Sequence, residues 1–171
     1  MDIKNNTIAL LSSIFSKEIT LMVIAALPVF ELRLAIPLAI FQFGFSFSKA
    51  YCLAVAGNFL PVLPLLLFFR YFFHRLENVK VVGKFFSWWF KRVEKKSKVV
   101  ERLGFWGLVF FVAIPLPVTG AWTGTVAATL FEIKLRKALL AIFIGIAIAG
   151  LLVSLITAAA LGLFAGCKVS L

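Results

Sequence analysis

Charge divides the chain into four apolar blocks. Residues 50–69, 103–131 and 138–167 carry no Asp, Glu, Lys or Arg, and residues 19–48 carry only Glu31 and Arg33. A helix needs about 20 apolar residues to cross a bilayer, so each block is long enough to enter one. Two of the blocks are interrupted. In 19–48 the breaks are Pro28, the charged pair, Pro37 and Gly44; in 103–131 they are Pro115-Leu116-Pro117-Val118-Thr119-Gly120. Proline withdraws backbone donors and glycine loosens a turn, which lipid does not tolerate and a protein-lined cavity does. The pattern predicts an all-α integral membrane protein with a single membrane domain over 1–171. Its parts are re-entrant hairpins over 19–48 and 103–131 and transmembrane helices over 49–70 and 138–165. Residues 1–18 mix Leu10, Leu11, Ile14 and Phe15 with Asn5, Asn6, Lys17 and Glu18 and read as an interfacial helix.

The stretch 71–102 differs in kind. Lys84, Lys91, Lys95, Lys98 and Arg102 recur at helical spacing on one face, while Val82, Phe86, Trp89, Val93, Val100 and Leu103 recur on another. A basic, aromatic-bearing amphipathic helix suits the surface of an anionic leaflet, so membrane lipids with anionic headgroups are expected partners. A second basic cluster, Lys134, Arg136 and Lys137, lies in the short connection 132–137. The positive-inside rule places both clusters in the cytoplasm, which requires 103–131 to enter and leave on one side. Ala-Leu-Pro-Val at 26–29 aligns with Pro-Leu-Pro-Val at 115–118 at an offset of 89, and Gly57 falls beside Gly145 at nearly the same offset. Each half is then a broken hairpin followed by a span. With one span between the hairpins, the halves form an inverted-topology repeat, an architecture of secondary transporters with sites near the midplane.

Composition agrees with a multi-pass protein of the cell (cytoplasmic or inner) membrane. Hydrophobic residues make up 63% of the 171, only 15% are charged, and the mean hydropathy is +1.07. The net charge of +11 would point to nucleic acid in a soluble domain; this hydropathy excludes that partner. One His and two isolated cysteines, Cys52 and Cys167, provide no zinc cluster, CxxC redox site or disulfide framework. No metal, cofactor or enzymatic activity is expected.

The candidate chemistry lies in the hairpins. Glu31 and Arg33 stand inside an apolar block, where an ionisable residue costs several kcal/mol and is a functional hypothesis by default. Arg33 can grip a phosphate or carboxylate with its planar fork, and Glu31 can titrate. Alternatively the two form a structural pair that pins the hairpin tip. Pro28 and Pro37 bracket them. The second hairpin has no charge but is dense in polar groups: Pro115, Pro117, Thr119, Gly120, Trp122, Thr123 and Gly124 form a second candidate wall of a substrate or proton path. Hydroxyls and free amides there could hold an anion or line a water path, and Thr and Gly also serve as helix-packing residues. Asn58 sits mid-span before Pro61 and Pro64, where an amide needs a partner.

Pro28-Val-Phe-Glu-Leu-Arg-Leu-Ala-Ile-Pro37, Gly57-Asn58 and Ala113-Ile-Pro-Leu-Pro-Val-Thr-Gly-Ala-Trp-Thr-Gly124 resemble the signatures of the putative small multidrug export protein family. That family is distantly related to the DedA (SNARE-associated, VTT-domain) superfamily. The DedA resemblance implies a proton-driven carrier of a polyprenyl-phosphate-like lipid, with Glu31 as the acidic hairpin residue and Arg33 as a basic one. The chain departs from the DedA pattern in its second hairpin, where Ala121-Trp122-Thr123-Gly124 replaces the expected arginines.

The expected function is therefore a small secondary transporter or lipid carrier, ion- or proton-coupled, moving an amphipathic substrate. One alternative is a small multidrug exporter; another is a non-transporting membrane scaffold that binds anionic lipid. An 18.9 kDa chain with two spans has little room for a closed pathway, which points to a homodimer.

Overall fold

The computed structural model describes residues 16–76, 98–114 and 120–167. Residues 1–15 of the interfacial helix expected over 1–18, most of the basic helix with Lys84, Lys91 and Lys95, and the tip residues Pro115, Pro117 and Thr119 lie outside these residues, while Lys17 and Glu18 open the first described helix. Lys98 and Arg102 fall within a described helix.

Every described element is an α-helix: α1 Lys17–Ala26, α2 Glu31–Phe41, α3 Phe47–Phe59, α4 Val62–Leu76, α5 Lys98–Ala113, α6 Ala121–Leu130 and α7 Leu135–Cys167. Two stretches are long and apolar enough to cross a membrane, Phe47–Tyr71 at 25 residues and Leu135–Gly162 at 28. The first is two helices. Pro61 and Pro64 supply no backbone N–H, so the α-helical ladder cannot run through Leu60 and Pro61. α4 restarts at once, with the Leu65 amide donating to the Pro61 carbonyl at 3.0 Å. Pro64 then falls in the first turn of α4, where a missing donor costs little.

The chain divides into two compact units, one of residues 1–58 with 150–171 and one of residues 59–149. In the first unit α1 and α2 pack as a hairpin joined by the turn 27–30. The Ser16 hydroxyl caps α1 by accepting from the Ile19 amide at 3.4 Å, satisfying one of the free first-turn donors. Leu21, Ile24 and Ala25 of α1 and Leu32, Ala35, Ile36 and Ala39 of α2 are buried. α2 ends at Gln42, and Gly44 (φ +69°) takes the left-handed turn that leads into α3. The base of this hairpin is tied to α3 by an ion pair, Lys49 Nζ to Glu18 Oε1 at 2.6 Å, with the same ammonium 4.2 Å from the Phe45 ring centroid. The helices approach closely at Gly57: a Cβ there would lie 2.5 Å from the Met22 carbonyl oxygen, so α3 and α1 meet backbone to backbone.

In the second unit α6 packs against both α5 and α4. α5 kinks at Gly104 (φ 54°, ψ −116°), a conformation few other residues adopt. α6 ends in a Schellman turn, with the Ile133 amide donating to Ala128 O at 3.0 Å and the Glu132 amide to Thr129 O at 3.1 Å. The left-handed position of this turn, usually glycine, is Glu132 (φ 49°). The Arg70 guanidinium of α4 donates to the Ile133 carbonyl and so holds the turn from outside the helix. Gly145 of α7 faces Val112 of α5, and Gly124 of α6 faces the same valine.

Candidate functional site

In the first hairpin, Leu27 amide to Ile24 O, Phe30 amide to Leu27 O and Glu31 amide to Leu27 O carry the chain around Pro28. Pro28 and Val29 are exposed at the tip, Val29 at 80%. Glu31 opens α2 with φ 44°, a left-handed backbone that costs an L-residue about 1–2 kcal/mol. Among the described residues only two non-glycine residues have positive φ, and both are glutamates, Glu31 and Glu132. Strain of this kind clusters at sites where the side chain is worth its cost. Glu31 and Arg33 are both half-buried on the first turn of α2. Pro37 lies inside α2, where it removes the amide that would bond the Arg33 carbonyl. The hairpin thus presents an acid and a guanidinium on a loosened helix.

In the second hairpin Gly120 caps α6 and is buried, as are Thr123 and Gly124; Trp122 is half-buried. The threonine protons are committed. Thr123 donates to Gly120 O at 3.3 Å, Thr125 to Trp122 O at 2.6 Å and Thr129 to Thr125 O at 2.9 Å. An anion needs donors, and these three hydroxyls have spent theirs on their own helix. They retain acceptor lone pairs.

The model of a family described as "putative small multi-drug export protein" matches residues 31–152, from Glu31 to past the middle of α7. The chain belongs to that family. Comparison with curated proteins and with solved structures returns no match. The multi-drug export match begins at the strained glutamate and takes in Arg33, Asn58 and the whole of α6. With the two long apolar helices, membership points to a membrane protein concerned with transport.

Asn58 completes the candidate set. It is 1% exposed at the end of α3, and its Oδ1 has no hydrogen-bond partner. The sequence marks Asn58 as a polar residue in an apolar span; that its oxygen is unsatisfied is visible only in the fold. Arg70, the last residue of the span expected over 49–70, is engaged with the Ile133 carbonyl.

Proposed function

We propose that this chain is a secondary transporter of the cell membrane, built as an inverted repeat, which exports an amphipathic molecule and uses Glu31 to couple export to protons. A recurrence at 88 residues carries the architecture. Every buried residue from Thr20 to Asn58, Val55 excepted, has a buried residue 88 positions later. Thr20, Leu21, Ile24 and Ala25 match Leu108, Val109, Val112 and Ala113; Ala50, Ala54, Gly57 and Asn58 match Ala138, Ile142, Gly145 and Ile146. Backbone features keep the same register. Left-handed Gly44 and Glu132 each precede a long helix by three residues, and the kink at Gly104 matches Ser16, the cap of α1.

Length supports re-entrant hairpins. α1 and α6 have 10 residues each and α2 has 11; at about 1.5 Å per residue such arms reach about half of a hydrocarbon core roughly 30 Å thick. One span between the hairpins inverts the second, and both basic clusters then share the cytoplasmic side. Cysteines introduced at Lys95 and Lys137 should resist labelling by an impermeant reagent from outside, while one at Lys49 reacts. Labelling of Lys95 and Lys137 from opposite faces would refute the inversion.

Cargo follows from the hairpin chemistry. A phosphate headgroup calls for donors on both hairpins, and the bonded threonines of α6 favour a drug-like amphiphile over a lipid phosphate. The test is reconstitution in liposomes with a fluorescent lipophilic cation as cargo. A pH gradient should drive its flux in the wild type and leave flux unaffected in a folded Glu31→Gln variant. Gradient-driven flux that survives Glu31→Gln would remove Glu31 from the coupling.

A further inference from the structure

At the C-terminal end of α3 three features of one sign coincide. Asn58 Oδ1 is buried without a donor. The carbonyl of Gly57, next in the chain, has lost its α-helical donor, because residue 61 is proline. The end of α3 also adds the partial negative charge of a helix C-terminus. No basic side chain occurs between residues 50 and 69 of the same segment. The corresponding residue of the second half, 88 positions on, is Ile146, also buried. Packing at this register is therefore met by an aliphatic side chain, and the amide of Asn58 has some other use. Buried polar atoms are rarely left unpaired without a reason such as an absent ion or ligand.

We propose that Asn58 Oδ1 and the Gly57 carbonyl bind a monovalent cation, as Na+ or as the charged head of a cationic cargo. The inference rests on the transporter reading and names the charge type its pathway accepts. Oxygens left without donors favour a positive partner over an anion. Broken transmembrane helices offer such oxygens to coupling ions in secondary transporters generally. Two protein oxygens leave the rest of the ion's shell to water or to the cargo itself.

The test uses the purified full chain in detergent, titrated by calorimetry with NaCl and, separately, with tetraphenylphosphonium chloride, at ionic strength held constant with N-methylglucamine chloride. Wild type should bind at least one of the two. Asn58→Ile, which copies the other half, should weaken that binding tenfold or more. Asn58→Asp, which adds a charge at nearly constant size, should tighten it at least threefold. Sodium binding alone identifies a coupling ion, and phosphonium binding alone identifies cationic cargo. Binding of neither by wild type, or unchanged affinity in Asn58→Ile, overturns the proposal. If Asn58→Ile does not fold, unchanged affinity in Asn58→Asp overturns it equally. Liposome flux separates this site from the transport reading. Cation binding without any flux leaves the site and sinks transport; cargo flux unaltered by Asn58→Ile sinks the site and leaves transport.

Discussion

Replacing Gly57 with alanine should be the most damaging single methyl in the described part of the chain. The added Cβ would lie 2.5 Å from the Met22 oxygen, 2.6 Å from its Cα and 2.9 Å from its carbonyl carbon, against an ordinary contact of 3.4–4 Å. All three atoms are backbone, so no rotamer relieves the clash and α1 must retreat by about 1 Å. Overpacking of this kind costs about 1–3 kcal/mol, and an obstacle of main chain puts the cost at the upper end. Alanine returns about 1 kcal/mol of helix propensity, which leaves a net loss of about 2 kcal/mol. Gly124→Ala is the useful contrast, because its obstacle is Val112 Cγ2 at 2.6 Å, a side-chain atom. Gly162→Ala meets nothing within 4 Å and should gain the propensity alone. Thermal unfolding in detergent, run as double-mutant cycles, separates the cases. Val112→Ala should partly rescue Gly124→Ala, and Met22→Ala should not rescue Gly57→Ala. A Gly57→Ala protein as stable as wild type, or one restored by shortening Met22, would refute the backbone contact.

Three further outcomes follow from the geometry. Glu132→Gly relieves a left-handed glutamate at φ 49° and should raise stability by about 1 kcal/mol, read as a higher melting temperature. Arg70→Met strips the Ile133 carbonyl of its side-chain donor and should cost about 1–3 kcal/mol by the same measurement, with Arg70→Lys intermediate. The hydrogen bond from Lys49 holds the Glu18 carboxyl below its usual range. A lowered folded-state value means that its stabilisation is present above the unfolded carboxyl value and is lost as pH falls through the folded one. Glu18→Gln should therefore flatten the acid limb of the stability profile, and an unchanged limb would show that the pair contributes nothing.

The helical class and the two long apolar helices were legible because uncharged stretches of that length have few other folds. Local backbone geometry was less so. The run 49–70 reads as one helix, yet Pro61 divides it, because a proline that follows a turn can end one helix as readily as kink it. The shared Pro-Val dipeptides give an offset of 89, whereas burial keeps a register of 88; identities in apolar sequence are weak evidence beside the pattern of covered positions. Glu31 was conspicuous as a charge among aliphatics, but its left-handed backbone was not, since glutamate has little preference for that region. Glu132 gave no signal at all beside its basic neighbours. The threonines of α6 were legible as polar groups. Whether their protons faced a ligand or their own helix depended on side-chain rotamers, which sequence does not record.

The division into two units has a consequence for cutting the chain. A break anywhere in residues 77–97 would leave two fragments, neither of which would hold a whole unit. The first compact unit needs residues 150–171 from the second fragment, and the second needs residues 59–76 from the first. Each half therefore leaves unburied a surface that only the other half covers. Fragments made alone should be cleared by proteolysis, and made together they should accumulate as a complex. The two fragments are separable in the gene but not in the folded protein.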